Sequence, residues 1–333
     1  MLDERRAAIL RAVVEGYIET AQPVGSSLVA RTGGISVSSA TIRNEMVALE
    51  QEGYLVQPHT SAGRVPTDKG YRFFVDNMAG HGKLDTVRRQ QVSSFFATAH
   101  GAIEDMLHAT SQLLSNLTDY AAVVVAPQSE QATVRSVQLV GLGANVALLV
   151  AVLSNGSIEK ATVEVPDDIG EERIGSATAH LSRSLVGGTL TDVIGCPSSG
   201  DQQTDDLCAA AIAAVRPSRD GEVDHVYVGG ASRMATAFDA VDSVRRVLTT
   251  LEQQYVVVGL LRDVIDRGMS VAIGAEHGLE ALADCSIVVA PYEVEGELAG
   301  TIGVLGPTRM HYPQALAAVA VVSQRLGRRL SEG

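Results

Sequence analysis

The chain has 333 residues, of which 46% are hydrophobic and 20% charged, and its formal net charge is −13 at neutral pH. This length predicts two or three domains with apolar cores, and the negative charge argues against a protein that coats nucleic acid indiscriminately. No apolar run reaches the roughly 18–20 residues of a membrane-spanning helix, so no membrane partner is expected.

The cysteines and the first residues indicate a reducing cytosol. Cys196, Cys208 and Cys285 are odd in number and widely spaced, and none forms a Cys-x-x-Cys pair. Neither a disulfide framework nor a zinc site is therefore indicated. The opening Met1-Leu2-Asp3-Glu4 lacks the basic and apolar regions of a signal peptide. A cytoplasmic protein is expected.

The N-terminal part predicts three helices. Residues 3–20 form the first helix and residues 28–31 a short second one. The third helix is predicted from Ser39 to Glu52. Ser38 is its N-cap, because a serine hydroxyl can accept a bond from a free amide of the first turn. Gly53 suits the position just past its C-terminus.

The third helix has an unusual exposed face. Ile42, Met46 and Leu49 recur at helical spacing and form its buried stripe. The opposite face is small and polar, and it lacks the Glu–Lys pairs of an ordinary exposed helix. A major-groove helix needs small residues for close approach, Arg for guanine, Asn or Gln for adenine and methyl groups for thymine. The helix residues predicted to contact DNA are Ser38, Ser39, Thr41, Arg43, Asn44, Val47 and Gln51.

A hairpin is predicted directly after this helix. Residues 54–56 form a strand, residues 58–63 a turn and residues 64–65 the start of the returning strand. At the hairpin tip Arg64 would touch phosphate or the minor groove, and His59 could touch a phosphate. From these residues alone, a helix and hairpin in an unrelated α/β domain is an equally good interpretation.

Charge is unevenly distributed along the chain. Residues 1–78 contain 8 Lys and Arg residues against 9 Asp and Glu residues, so most of the negative charge lies further on. A near-neutral unit can still bind DNA if its few cations share one face, and Arg43, Arg64, Lys69 and Arg72 are the candidates. The acidic remainder would repel non-specific DNA and leave affinity to specific contacts and dimer symmetry.

The rest of the chain changes from helices to strands. Thr67 can cap a fourth helix, and residues 84–117 keep helical spacing, with Gly101 as a point at which the helix could break. The strands that follow are close together, so an antiparallel sheet is expected. The predicted strands are 121–126, 134–140, 146–153, 158–165, 223–228, 270–273, 285–291 and 298–305. Helical segments are predicted at 167–218, 236–251, 253–267 and 314–330.

These segments resemble a known family. Residues 16–76 resemble the DNA-binding end of the HrcA family of heat-inducible transcription repressors, and residues 300–310 resemble its C-terminal part. The resemblance covers nearly the whole chain and is loosest in residues 165–250. The main matching segments are Gly16-Tyr17-Ile18-Glu19-Thr20, Pro23-Val24-Gly25-Ser26, Ala40-Thr41-Ile42-Arg43-Asn44-Glu45-Met46, Gly53-Tyr54-Leu55, His59-Thr60-Ser61-Ala62-Gly63-Arg64-Val65-Pro66-Thr67 and Gly70-Tyr71-Arg72.

The resemblance implies an α+β multidomain fold. It consists of a winged helix-turn-helix DNA-binding domain at 1–78 and a linker with a long helix at 79–118. A GAF-like antiparallel sheet domain follows at 119–166 and 251–333, and a dimerising domain is inserted at 167–250.

The resemblance also implies a function. Members of this family repress chaperone genes as homodimers bound to double-stranded DNA at an inverted-repeat operator called CIRCE, so the protein would be nucleoid-associated when bound. The chaperonin GroEL keeps the repressor active, and heat diverts the chaperonin to unfolded proteins. A small ligand in the GAF-like domain remains an alternative means of control.

An enzyme, a cofactor or a metal site is not expected. Gly141-Leu142-Gly143 begins like a dinucleotide-binding loop, but the third glycine is absent and a strand follows. The eight histidines show no convincing metal-ligand spacing. Asp167-Asp168 and Glu171-Glu172 are most simply solvated charge near a helix start.

Overall fold

A computed structural model describes residues 2–332 except 33, 36, 60–61, 79–81, 99–101, 128–131, 144, 166–168, 192–194, 216–224, 234–237, 239–240 and 267–269. It is a mixed α/β structure in which all the strand pairs of the sheets are antiparallel.

The N-terminal unit, residues 2–78, contains helices and one short hairpin, as predicted. Ser38 Oγ accepts a bond from the Thr41 amide at 3.2 Å, and Thr67 Oγ1 accepts one from the Gly70 amide at 3.2 Å, so both predicted serine and threonine caps are confirmed. The elements are α1 (Glu4–Thr20), α2 (Ser26–Thr32), α3 (Ser39–Gln51), β1 (Leu55–Val56), β2 (Val65–Pro66) and α4 (Asp68–Asp76).

The hairpin is attached to the segment between α1 and α2. Val24 and Arg64 exchange two backbone hydrogen bonds of 2.9 Å, which adds a third extended segment beside β2. The neighbouring Gly63 makes this approach possible, because a Cβ atom there would lie 2.4 Å from the Val24 carbonyl oxygen. The backbone therefore ties the hairpin to the segment that joins α1 and α2.

Two helices follow the N-terminal unit where one long pattern was predicted. They are α5 (Thr86–Thr98) and α6 (Ile103–Thr118). Gly101, the predicted break, lies outside the described residues.

The central part of the fold contains β3 (Ala121–Val125), β7 (Val226–Gly229), α9 (Val241–Glu252), α10 (Gln254–Asp266), β8 (Val271–Ile273), β9 (Cys285–Val294), β10 (Glu297–Pro307) and α11 (Tyr312–Ser331). Its five strands form one sheet at the centre of the molecule, in the order β7-β3-β10-β9-β8. Alternate residues of β3 point to opposite sides: Ala122 and Val124 join a core with α6 and α11, whereas Ala121 and Val123 join a core with α9 and α10. Helices therefore cover both faces.

A separate three-stranded sheet has the order β4-β5-β6 and a core of its own. Two helices cover one of its faces, with buried Leu181 and Cys208 among the residues that meet the sheet. We call residues 132–215 the insert. Its elements are β4 (Val134–Gly141), β5 (Val146–Leu153), β6 (Ile158–Glu164), α7 (Glu171–Leu185) and α8 (Gln202–Val215).

This arrangement differs from the predicted division of the chain. The prediction grouped residues 119–166 with the C-terminal strands and assigned 167–250 to the insert. In the described structure β4, β5 and β6 form a sheet with one another and share no ladder with the central sheet, whereas β7 pairs with β3 of the central sheet. Strand patterns reveal where strands occur, but consecutive strands in a chain need not share a sheet, which explains the difference.

Helix α4 joins the N-terminal unit to the central sheet. Arg72 donates from Nε to Glu276 Oε1 at 2.8 Å and from Nη2 to the Val271 carbonyl at 2.8 Å. Asp68 Oδ2 accepts a bond from the Ala275 amide at 3.2 Å. The Tyr71 ring lies 6.0 Å from the ring of Tyr312 on α11, so the apolar core continues across this contact.

Within the described residues, no helix combines the length and apolar character that crossing a membrane would require.

The close approach at Gly63 yields a stability prediction. Gly63→Ala should lower the free energy of unfolding by about 1–3 kcal/mol, since the added methyl group displaces the hairpin from Val24. Thermal and urea unfolding of the full chain would measure it. Gly175→Ala is the control, because the space beside this exposed glycine of α7 is open and alanine favours the helix by about 0.5–1 kcal/mol. Equal effects of the two changes would contradict the packing role of Gly63.

Candidate nucleic-acid interface

Helix α3 exposes the face that its sequence predicted. Ile42 and Leu49 are fully buried and Met46 is nearly so, which turns the other side of the helix to solvent. That side contains no acidic residue, and Val47 on it is 37% exposed. The exposed positions are Ala40, Arg43, Asn44, Val47 and Gln51.

The start of α3 is held by hydroxyl contacts. Ser38 is exposed, and its Oγ lies 2.9 Å from Thr41 Oγ1 in addition to capping the helix. Ser39 is half-buried, and its Oγ lies 3.0 Å from Ser26 Oγ at the start of α2. Of these three predicted contact residues, Ser39 therefore fixes the angle between two helices.

Every carboxylate of α3 is paired inside the N-terminal unit. Glu45 accepts from Arg5 at 2.6 Å and from Arg6 at 2.9 Å. Arg6 reaches on to Glu52, just past the end of the helix, at 2.7 Å. Glu50 is paired with Arg64 from the hairpin at 2.8 Å. The negative charge of α3 is thus neutralised away from the exposed face.

The pairing of Glu45 alters proton affinities. The hydrogen bond from Arg6 is the main reason why the pKa of Glu45 lies below its ordinary value, and the charges of Arg5 and Arg6 add to it. The same bond raises the pKa of Arg6. The pair therefore stays ionised at neutral pH.

The four cations predicted to share a DNA-facing surface do not do so. Arg64 donates from Nε to Glu50 at 3.0 Å, and its side chain is only 14% exposed. Lys69 Nζ donates to the Glu52 carbonyl at 2.8 Å and lies over the Tyr54 ring. Arg72 is bound to Glu276 of the central domain.

Arg43 and Lys69 are both exposed, but of the four cations only Arg43 has no side-chain partner among the described residues. The expectation of one basic face was wrong, because a sequence does not reveal which carboxylate will form an ion pair with each cation.

The described residues of the hairpin turn include one exposed imidazole and one bracing amide. His59 is exposed, and Gln57 donates from its amide to the Ala62 carbonyl at 2.9 Å, which braces the turn. Residues 60–61 lie outside the described residues. Val56 on β1 is 43% exposed.

Sequence reasoning missed the residues that support this surface. Arg5 and Arg6 of α1 and Glu50 of α3 were not singled out, although they orient α3 and the hairpin. A cation at the start of one helix carries no local sign of a carboxylate some forty positions later. Only the buried stripes of α1 and α3 indicated that the two helices would meet.

Buried polar groups in the central sheet domain bond to protein atoms. Tyr312 Oη lies 2.7 Å from Ser286 Oγ and donates to the Thr308 carbonyl at 2.6 Å. Tyr292 Oη donates to the Val125 carbonyl at 2.7 Å. These hydroxyls connect structural elements. Among the described residues no three His, Cys, Asp or Glu side chains are grouped as metal ligands would be.

Comparison with known proteins identifies the family. Residues 104–316 match the family described as HrcA protein C terminal domain. The heat-inducible transcription repressor HrcA of Nocardioides sp. is 37% identical over 342 aligned residues, with 100% of both chains covered. The chain belongs to the HrcA family of heat-inducible transcription repressors.

Other relatives agree with this HrcA assignment. The repressor of Acidothermus cellulolyticus is 37% identical and that of Streptomyces avermitilis 36% identical, each with 100% of both chains covered. A crystal structure of a hypothetical protein matches 100% of this chain and 99% of its own with a TM-score of 0.65. At 21% sequence identity that likeness shows the fold alone.

The Arg6–Glu45 pair yields a prediction of pH dependence. Because the folded pKa of Glu45 is lowered, its ion pair stabilises fully above the ordinary glutamate pKa of about 4.3 and is lost as the pH falls through the lowered value. Wild type should therefore exceed Glu45→Gln in stability at pH 7, and this gap should close in acid. Urea unfolding at a series of pH values would measure it.

The control for this titration is Glu19→Gln on the exposed side of α1, where no ion pair is found among the described residues. A gap between wild type and Glu45→Gln that stays constant with pH would show that the charge of Glu45 contributes nothing.

Proposed function

We propose that this HrcA-family protein is a negative regulator of heat-shock chaperone genes that reads the inverted-repeat CIRCE operator as a homodimer. Its N-terminal unit would act as a winged helix-turn-helix, with α3 in the major groove and the hairpin as the wing. The observation that carries the proposal is the exposed, acid-free face of α3, on which Arg43 has no protein side-chain partner among the described residues.

The residue types on α3 suit base recognition. Arg43 offers a bidentate donor for guanine, and Asn44 and Gln51 match adenine edges. Val47, with its methyl groups at 37% exposure, suits thymine. Ser38 and Thr41, at the helix N-terminus, and His59 in the wing are placed to meet phosphates.

Arg64 has a different role in this proposal. Its guanidinium joins the wing to Glu50 of α3, and its backbone joins the wing to Val24. We therefore assign it to positioning the wing, in place of the phosphate contact expected from the sequence.

Because the proposed DNA-binding surface carries little positive charge, its affinity for the operator depends on the symmetry of the dimer. Among the described residues each recognition helix offers one unpaired arginine, which supplies little of the phosphate neutralisation that drives non-specific binding. The chain carries a net charge of −13. Two copies of the unit on one inverted repeat double the specific contacts, and a two-fold dimer matches a two-fold operator.

The outer face of the insert sheet is our candidate for the dimer surface. On β5, Ala147, Leu149, Ala151 and Leu153 are fully buried against α7 and α8. The intervening residues are also apolar, although a sheet face in water normally carries polar residues. Ile158 and Val140 on the flanking strands are 46% and 40% exposed. The half-buried residues of β5 on this outer face are Val146, Leu148, Val150 and Val152.

The proposed domain division follows the two sheets. Residues 2–78 are the winged helix domain, and 82–118 provide the connecting helices. The GAF-like domain comprises 119–127 and 225–332, and the dimerising insert comprises 132–215. These limits replace the ones expected from the sequence.

Control by the chaperonin GroEL fits the construction of this chain. Tryptophan is absent, aromatic residues make up 4% of the chain and glycine occurs 32 times, so the cores contain few large aromatic side chains. Proteins are stable by small margins, so a modest loss of folding support shifts the active population strongly. In this scheme heat occupies the chaperonin, the cytoplasmic repressor leaves the nucleoid, and chaperone genes are expressed.

A gel-shift titration with a CIRCE duplex and a scrambled duplex tests whether the exposed face of α3 recognises the operator. Arg43→Ala and Asn44→Ala should each cost about 1–3 kcal/mol of operator binding and little binding to scrambled DNA. Arg88→Ala on α5 is the control, since this arginine pairs locally with Asp85. Unchanged discrimination in both α3 variants would overturn the assignment of this face.

The same titration with added chaperonin tests the regulatory part. Wild type should show a larger fraction of protein active for the operator when chaperonin is present during mild heating. Specific binding that is indifferent to chaperonin would keep the repressor and direct attention to a ligand in the GAF-like domain.

Glu50→Gln separates the two possible roles of Arg64. As a positioning residue, Arg64 loses its partner in this variant, so both Glu50→Gln and Arg64→Ala should weaken operator binding and leave its salt dependence unchanged. A phosphate contact predicts the opposite pattern. Glu50→Gln would strengthen binding by freeing a cation, and Arg64→Ala would flatten the logarithmic salt slope by about 0.9.

Leu148→Glu tests the dimer surface. A carboxylate among the apolar outer residues of β5 should convert dimer to monomer in sedimentation velocity and weaken operator binding, while circular dichroism stays native. Val87→Glu, which alters an exposed valine of α5, is the control. A Leu148→Glu protein that remains dimeric would remove this face from the proposal.

A further inference from the structure

The insert contains two cysteines that have no part in DNA recognition. Cys208 on α8 is fully buried. Cys196 lies in the loop before α8, is half-buried, and packs against the same apolar cluster as Cys208. Both are free thiols.

Polar contacts fasten the Cys196 loop to α8. Ser198 Oγ donates to Asp205 Oδ2 at 2.6 Å, and the Ser199 amide donates to Asp205 Oδ1 at 2.7 Å. Asp205 and Cys208 are three residues apart, so they lie on neighbouring turns of the same helix face. The Cys196 side chain packs against the cluster that contains Cys208, and the two thiols are close enough to interact.

The surroundings of the two thiols differ in a way that orders their reactivity. A cleft of about 310 Å³ opens beside Cys196 and is lined on its other side by Ala209 and Ile212 of α8. A small oxidant can reach Cys196 through it. Burial first, and the neighbouring Cys196 thiol second, raise the pKa of Cys208 to about 12, which keeps Cys208 protonated and unreactive towards solvent.

We propose that Cys196 and Cys208 form a peroxide-reactive pair that closes to a disulfide within one chain. The Cys196 thiolate attacks one oxygen of hydrogen peroxide, the O–O bond breaks, and the departing hydroxide takes up the thiol proton as water. The resulting sulfenic acid is then attacked by the Cys208 sulfur. The S–O bond breaks and a second water leaves with the Cys208 proton.

Two thiols are oxidised and one peroxide is reduced to two waters in this sequence. The disulfide would tie the loop covalently to α8 and remove the weak bond that Cys208 Sγ donates to the Ala177 carbonyl of α7, now at 3.8 Å. The proposal is independent of DNA binding.

Cys285 provides an internal control. It is fully buried in β9, and its pKa is raised to about 12 by burial and by the charge of Asp284, with no second thiol among the causes. It should stay reduced under conditions that oxidise the pair.

The test uses the reduced full chain, treated with hydrogen peroxide, alkylated under denaturing conditions and analysed by mass spectrometry. Cleavage before Asp201, Asp205 or Asp206 separates the two cysteines onto different peptides. Alkylated Cys196 and Cys208 should be lost in parallel and reappear as one linked pair, while Cys285 remains alkylated. Oxidation of Cys196 to sulfinic acid or to a disulfide between chains, with Cys208 still alkylated, would overturn the proposal.

Two variants check the order of events. In Cys208→Ala, a sulfenic acid should persist on Cys196 and be trapped by dimedone. In Cys196→Ser, Cys208 should remain alkylatable after peroxide. Equal oxidation of Cys208 with and without Cys196 would contradict the assigned order, and the wild-type result stands even if a variant folds poorly.

Discussion

The contact between α4 and the turn after β8 holds the N-terminal unit against the central sheet. Arg72 binds a carboxylate and a carbonyl of the central domain, and Asp68 accepts an amide from the same turn. These bonds surround Tyr71, whose ring continues the apolar core of the N-terminal unit into that of α11. A partly buried, multidentate arginine gives a more defined orientation than an exposed ion pair would. The direction in which α3 faces outwards is therefore set by the central domain.

Within the N-terminal unit, most of the described ion pairs join one structural element to another. Arg5 and Arg6 hold the carboxylate of Glu45, and Arg64 holds that of Glu50. Such pairs contribute little to stability at a surface, but here they join α1, α3 and the hairpin at defined points. The consequence is that the outer face of α3 is left with one long cation and several small or amide side chains. This composition favours discrimination among base sequences over general attraction to DNA.

Local features were predictable from the sequence, and distant pairings were not. The limits of α3 follow from Ser38 and Gly53, and its exposed face follows from the spacing of Ile42, Met46 and Leu49. The pairing of Arg64 with Glu50 was not predicted, because the two residues are 14 positions apart. Arg72 and its partner Glu276 are 204 positions apart, so no local spacing of residues could predict their contact. The strands were also predicted. Their division between two sheets depends on which strand edges pair, and the alternation of apolar and polar residues does not reveal that.

Strand β5 has a consequence for how the protein responds to its own abundance. Its inner face is covered by α7 and α8, and in the proposed dimer its outer face is covered by a second copy. Part of the free energy that holds the insert together is then bimolecular, so stability rises with protein concentration. Dilution during growth would lower operator occupancy and, at the same time, weaken each remaining molecule. The dose–response curve of repression would thus be steeper than simple mass action at the operator would give.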